Sequence, residues 1–377
     1  MARHRYPELD GVRAVAALLI LGYHVGSNTG QVDGPGLRST LLNAGQVGVA
    51  LFFALSGFLL YRPWAAAALD GTPAPAAGRF LLRRGLRILP AYWVLACVFM
   101  LLYGGGRRAD PVSWAALLTL TYLYVPGHGW AGPLGPAQLG PMWSLTVEAA
   151  WYLALPPTAA VLARIARRSA TRLLLGIGGY AALSFLCTAS LFGASTLLPP
   201  RYCVWFAGGM ALAVLAEGPA GHGLRRTLVA SRTGFHLSAM ALYAIAGTAL
   251  TGPQTFAPET LWTAELRLLV YGACAMCFLA PIALDESAAG PLAHPVPRFL
   301  GGISYGIFLW QMPVVLAVVA LTGPHFLAAL AIVPPATIGI AFLSNRLIEQ
   351  PVQVWATRPR RPAPRPLAPT TAPPPRP

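Results

Sequence analysis

Apolar runs of membrane-spanning length recur along nearly the whole of this chain, and no other feature limits its fold as strongly. A bilayer core about 30 Å thick asks for about 20 consecutive apolar residues per helix, within a range of roughly 17 to 25. Eleven candidate runs centre on residues 14–30, 44–62, 88–104, 112–126, 143–163, 173–193, 202–217, 235–251, 267–284, 300–321 and 326–347. Only 10% of the residues are charged, where soluble domains carry about 25%, so an aqueous globular fold is excluded. Backbone that faces lipid must satisfy its own hydrogen bonds, which makes these runs helices. The expected fold is an all-α, polytopic integral membrane bundle.

Charge orients the bundle. The net charge is +15, and every one of the 27 basic residues is Arg. They sit in short loops between apolar runs, the pattern that marks cytoplasmic loops rather than a nucleic-acid surface. Arg79, Arg83, Arg84 and Arg87 place the 63–87 loop inside, and with it the N-terminus. Arg164, Arg167, Arg168 and Arg172, then Arg225, Arg226 and Arg232, and finally the tail RPRRPAPRP mark three more inner ends. All agree only if the 112–126 run does not cross, which leaves about ten spans and both termini cytoplasmic. Residues 1–352 read as one membrane domain, and 353–377 as a disordered, Pro- and Arg-rich cytoplasmic tail. No cleavable signal peptide is expected, because the first apolar run lacks a small-residue cleavage site. The five cysteines all lie inside apolar runs; Cys274 and Cys277 form a C-x-x-C with no second pair nearby, so no metal site is expected.

Ionisable side chains inside such runs need a reason, since a charged group at the centre of a helix costs roughly 2.5 to 3.5 kcal/mol on insertion scales. Arg13 and His24 stand eleven residues apart, which puts them about 20° apart around a helix and about 16 Å apart along it. With Asp10 as the expected cap, Arg13 falls at the cytoplasmic interface and His24 near mid-membrane or beyond. In PMWSLTVEAAWYLALP, Ser144, Glu148 and Tyr152 follow at i, i+4 and i+8 and share a face. Glu148 descends from outside as His24 climbs from inside, so the pair is expected to meet. A carboxylate beside an imidazole raises its basicity and fixes its tautomer, as a general base requires. In RRGLRILP, Arg84 and Arg87 form a cytoplasmic mouth suited to bidentate phosphate contacts.

Six strings, LDGVRAVAALLILGYH, VALFFALSGFLL, RRGLRILP, MWSLTVEAAWYLALP, ISYGIFLWQMPV and IEQP, occur in the order and spacing of the acyltransferase 3 family. The resemblance runs from about residue 6 to 352. It implies a multi-pass protein of the cell membrane, in bacteria the inner membrane. It also implies transfer of an acyl group, commonly acetyl from acetyl-CoA, to hydroxyls of a carbohydrate, glycolipid or secondary-metabolite acceptor. On that reading Arg13, Arg84 and Arg87 meet the CoA phosphates, and His24 deprotonates the acceptor or carries the acyl group, with Glu148 orienting it. Ser304 and Tyr305 line the site, and Glu349 closes the cytoplasmic end of the last helix. Ser56 and Gly57 are read as close helix packing. One departure stands out: where the family usually has His after Trp in the penultimate helix, this chain has Gln311 after Trp310, read as a positioning residue. Neither a nucleic-acid partner nor a metal is implied. The competing class is a proton-coupled transporter of a polar or anionic solute, in which the same residues would line a path; the absence of internal repeats counts against it.

Overall fold

The computed structural model describes residues 7–125, 136–192, 197–218, 222–253, 259–285 and 290–357. Among them it is all-helical. The first helix, α1 (Pro7–Asn28), begins with proline at its first position, where a missing N–H costs nothing. Asp10 therefore lies inside the helix and does not cap it; its carboxylate instead pairs with Arg13 at 2.7 Å. A short α2 (Leu37–Asn43) and a 3₁₀ turn lead into α3 (Val47–Asp70). Next come α4 (Ala77–Tyr103), α5 (Pro111–Leu118), α6 (Met142–Ala166), α7 (Ala170–Ser190) and α8 (Cys203–Glu217). They are followed by α9 (His222–Ala230), α10 (Arg232–Ala246), α11 (Leu261–Ala283), α12 (Pro295–Gly302) and α13 (Ser304–Thr322). The chain then ends in α14 (Phe326–Ser344), a π-helical turn (Asn345–Glu349) and α15 (Gln350–Thr357). Helix thus continues to Thr357, into the stretch read as tail; residues 358–377 lie outside the described residues.

Among the described residues, eight helical segments are long and apolar enough to cross a membrane: Pro7–Asn28, Leu37–Asp70, Ala77–Tyr103, Met142–Ala166, Ala170–Ser190, Leu261–Ala283, Ser304–Thr322 and Phe326–Ala356. The runs at 202–217 and 235–251 form α8 and α10, each of 15 residues and shorter than those eight. The 112–126 run contains only the eight-residue α5, capped by Asp110 through the backbone N–H groups of Val112 and Ser113. After it Leu120 takes a positive φ of 61° and the chain turns back. Tyr92 and the Trp93 indole of α4 donate to the Leu117 and Leu118 carbonyls and so tie the end of α5 to α4. This segment is too short to cross.

In lipid, helices have no hydrophobic drive to associate, so close packing and hydrogen bonds hold them. The tightest seam joins α3 to α8. A Cβ on Gly57 would strike the Phe206 carbonyl oxygen, and one on Gly209 would strike that of Ala54, so each helix needs the other's glycine. Phe206 stacks on Phe53 at 4.4 Å and on Trp151 at 4.3 Å, tying α3, α8 and α6 together. α1 packs against α3, α12 and α13, and α13 against α14. The outside of the bundle stays apolar: Leu321 and Leu327 are 86% and 78% exposed, as lipid-facing side chains should be.

Candidate active site

A cavity of about 230 Å³ opens between α1, α3, α4, α6 and α13. One face of α1 supplies Arg13 and, seven residues on, Ile20. α4 supplies Arg84 and Arg87, which the structure places on the helix itself rather than in a loop before it. Arg is a good helix former, so the helix extends to Ala77 past the point where the apolar run stops. α6 presents Ser144, Glu148 and Tyr152 as a single stripe, and α13 supplies Ser304, Tyr305 and Phe308. Eight of the residues singled out from the sequence therefore share this one cavity: Arg13, Arg84, Arg87, Ser144, Glu148, Tyr152, Ser304 and Tyr305.

At its core is a carboxylate. Glu148 Oε1 accepts from Ser56 Oγ at 2.7 Å and from the Tyr152 hydroxyl at 2.5 Å. Arg84 stands beside both Tyr152 and Glu148, and its buried Nε has no hydrogen-bond partner among the described residues. The basic end sets three guanidinium groups around the cavity against this one carboxylate. Arg13 is held by Asp10, while Arg87 lies within charge range of Glu349. Glu349 itself is buried, bonded to Asn345 at 3.2 Å and Ser344 at 3.5 Å. The Tyr305 hydroxyl donates to the Ile88 carbonyl at 2.6 Å and pins α13 to α4.

His24 and Gln311 lie elsewhere than expected. His24 sits one turn past Ile20 on the same face of α1, and Gln311 sits three residues past Phe308, so the two stand just beyond the cavity. The imidazole lies against the Gln311 side chain. Gln311 is 0% exposed; its Nε2 donates to the Phe308 carbonyl at 3.1 Å, and its Oε1, like His24 Nδ1, is buried without a hydrogen-bond partner among the described residues. No hydrogen bond joins His24 to Glu148 among the described residues: Glu148 is committed to Ser56 and Tyr152. The expected carboxylate–imidazole contact gives way to two polar pairs, one on either side of Ile20 and Phe308.

Sequence reasoning assigned Ser56 to packing, and the structure divides that role. Gly57 makes the close approach to α8, while Ser56, 100° round the helix, turns to Glu148. A hydroxyl in the apolar run VALFFALSGFLL was the available signal, since an unpaired polar group there would be costly. Cys274 donates to the Ala239 carbonyl inside the helix bundle, and among the described residues no group of three His, Cys, Asp or Glu side chains gathers to hold a metal.

The family model described as an acyltransferase domain matches residues 6–346. The chain belongs to the acyltransferase 3 family. Among curated proteins it is similar to the peptidoglycan O-acetyltransferase OatA of Listeria monocytogenes, 25% identical over 93% of this chain and 56% of that protein. The putative peptidoglycan O-acetyltransferase YrhL of Bacillus subtilis is 26% identical over 94% and 56%. Nodulation protein 10 of Rhizobium leguminosarum is 26% identical over 82% and 83%. The chain thus spans a little over half the length of the two peptidoglycan O-acetyltransferases. No solved structure matches it.

Proposed function

We propose that this member of the acyltransferase 3 family is a membrane-bound O-acyltransferase that moves an acetyl group from acetyl-CoA to a hydroxyl of a carbohydrate or other envelope or metabolite acceptor. The observation that carries the reading is the cavity: three arginines gather at one end, and about 16 Å along α1 from Arg13 stands His24. That separation suits an extended pantetheine arm followed by its acyl group, with the phosphates at the arginines and the acyl end next to the imidazole.

In this scheme Arg13, Arg84 and Arg87 hold the CoA phosphates, and the unpartnered Nε of Arg84 is a donor ready for one of them. Glu148, braced by Ser56 and Tyr152, positions Arg84. Its contribution is to the donor end and not to the imidazole. His24 takes the proton of the acceptor hydroxyl, whose oxygen attacks the thioester carbonyl. A C–O bond forms, the C–S bond breaks, and CoA leaves as a thiolate that takes up the proton from the imidazolium. Gln311 steadies the ring: its Nε2 is spent on Phe308, which leaves Oε1 to accept from an imidazole N–H.

The same scheme sets the topology. Helix α8 with its preceding 3₁₀ turn (Pro199–Tyr202) runs 19 residues in all, and α8 and α10 complete ten crossings with both termini cytoplasmic. Donor then enters from the cytoplasm and acceptor from the other side. The OatA and YrhL names point to a peptidoglycan-type acceptor, which makes muropeptides the first probe.

The test is acetyl transfer by purified protein in nanodiscs, with acetyl-CoA and muropeptides, read as CoA thiol release and acetylated product. His24→Ala is expected to insert normally and lose at least about 10²-fold in kcat, the lower range for a positioned base. Arg84→Lys, which keeps the charge and loses the fork, is expected to raise the acetyl-CoA KM and leave the acceptor KM near its value. Near wild-type transfer by His24→Ala would overturn the assignment of the base. Solute flux without any thiol release would favour the transporter reading.

A further inference from the structure

Arginines line one end of the cavity, and on the way from them to the imidazole stand Ile20, Phe52 and Phe308; Ser144 also lines the cavity, with its hydroxyl spent on the Pro141 carbonyl. Ile20 of α1 is 2% exposed and Phe308 of α13 8% exposed. Phe52 of α3 meets Phe308 edge-on, with ring centroids 6.4 Å apart and planes at 70°. All three line the cavity. One turn past Ile20 comes His24, and three residues past Phe308 comes Gln311, whose amide is bonded to the Phe308 carbonyl. The three apolar side chains therefore stand between the arginines and the His24–Gln311 pair.

Phosphate, amide or hydroxyl groups of a ligand would lose their hydration against Ile20, Phe52 and Phe308 without gaining a partner. The group that sits there must be apolar and must also lie next to the base. In an acyl thioester that group is the acyl chain. Resting on the acyltransferase reading, we propose that Ile20, Phe52 and Phe308 form an acyl gauge, which fits the methyl of acetyl and excludes longer chains, with Phe308 as the stop. Packed interiors do not stretch for one extra methylene, and forcing one in displaces side chains from their rotamers. The edge-on contact leaves the Phe308 ring braced by Phe52, so it cannot swing aside for a longer chain without breaking that contact.

The experiment compares acetyl-, propionyl- and butyryl-CoA with the full-length protein in nanodiscs, read as CoA thiol release with muropeptides present. Wild type is expected to lose kcat/KM with each added methylene. Phe308→Ala is expected to raise the butyryl-to-acetyl ratio of kcat/KM by about tenfold or more, because each buried methylene is worth about fourfold once it has room. Phe52→Leu, a smaller change that keeps an apolar side chain, is expected to raise the same ratio in the same direction and decides the matter if Phe308→Ala does not fold. A ratio unchanged in both variants while acetyl turnover persists overturns the gauge and leaves the acyltransferase reading standing. Wild-type preference for butyryl-CoA overturns the gauge as well. Turnover of none of the three donors by wild type overturns the reading on which it rests.

Discussion

Tyr152→Phe removes one oxygen atom from the site and asks what Glu148 does. Two donors converge on a single carboxylate oxygen: the Tyr152 hydroxyl at 2.5 Å and Ser56 Oγ at 2.7 Å both reach Oε1. A hydrogen bond to a charged group is worth about 1.5 to 3 kcal/mol, which corresponds to about 10- to 150-fold in a rate or binding constant. If Glu148 positions Arg84 for the donor, that loss should appear in kcat/KM for acetyl-CoA, carried mainly by a raised donor KM. The ring of Tyr152 stays, so its edge contact with Phe80, at 6.3 Å between centroids, keeps the helix in place. Ser56→Ala should lose a comparable amount. The double variant leaves Oε1 with neither donor, so its loss should depart from the sum of the two singles. The assay is steady-state thiol release over a range of acetyl-CoA concentrations, with thermal unfolding in detergent as a check on folding. Donor kcat/KM within twofold of wild type in Tyr152→Phe would refute the reasoning. A loss confined to kcat, with donor KM unchanged, would refute it too, because Glu148 would then act at the chemical step.

Two further predictions concern the frame. In a background freed of its five cysteines, a cysteine at exposed Ala109 should be labelled only from outside and one at exposed Gly78 only from the cytoplasm; labelling of both from the same side would contradict the ten-span topology. Gly209→Val should abolish a monodisperse protein peak on size exclusion, since its side chain would meet the Ala54 backbone, which cannot move aside. Gly208→Ala, facing the flexible Met276 thioether, should elute normally.

Helical periodicity makes much of the site legible in the sequence. Spacing alone grouped Arg13 with His24, and Ser144 with Glu148 and Tyr152, and each set does share a helix face. The eight long spans fall where long apolar runs predict them, and the short 112–126 run does not form a spanning helix. What periodicity within one helix cannot supply is the rotation and register of one helix against another. That is why the sequence suggests His24 rather than Ser56 as the partner of Glu148, and why it groups Ser56 with its neighbour Gly57 although the two point to different helices. Hydropathy also places helix starts late. Hydropathy falls at Asp10 and at the Arg79–Arg87 cluster, yet the backbone there is already helical, from Pro7 and from Ala77.

The π-helical turn at Asn345–Glu349 sets the phase of everything after it. Such a turn holds one residue more than a regular α-helical turn in the same length. Winding it into a regular α-helical turn at the same chain length would rotate Glu349 by about a quarter turn from its present bearing, whereas deleting one residue, Leu347 for instance, would let α14 and α15 run on as continuous α-helix with Glu349 close to that bearing. Glu349 bonds to Asn345 within the turn and sits within charge range of Arg87. The charge balance at the arginine end of the cavity is thus tied to a single register step in a distant part of the sequence. A lineage could retune that balance by winding this turn back into regular helix, without exchanging any charged residue.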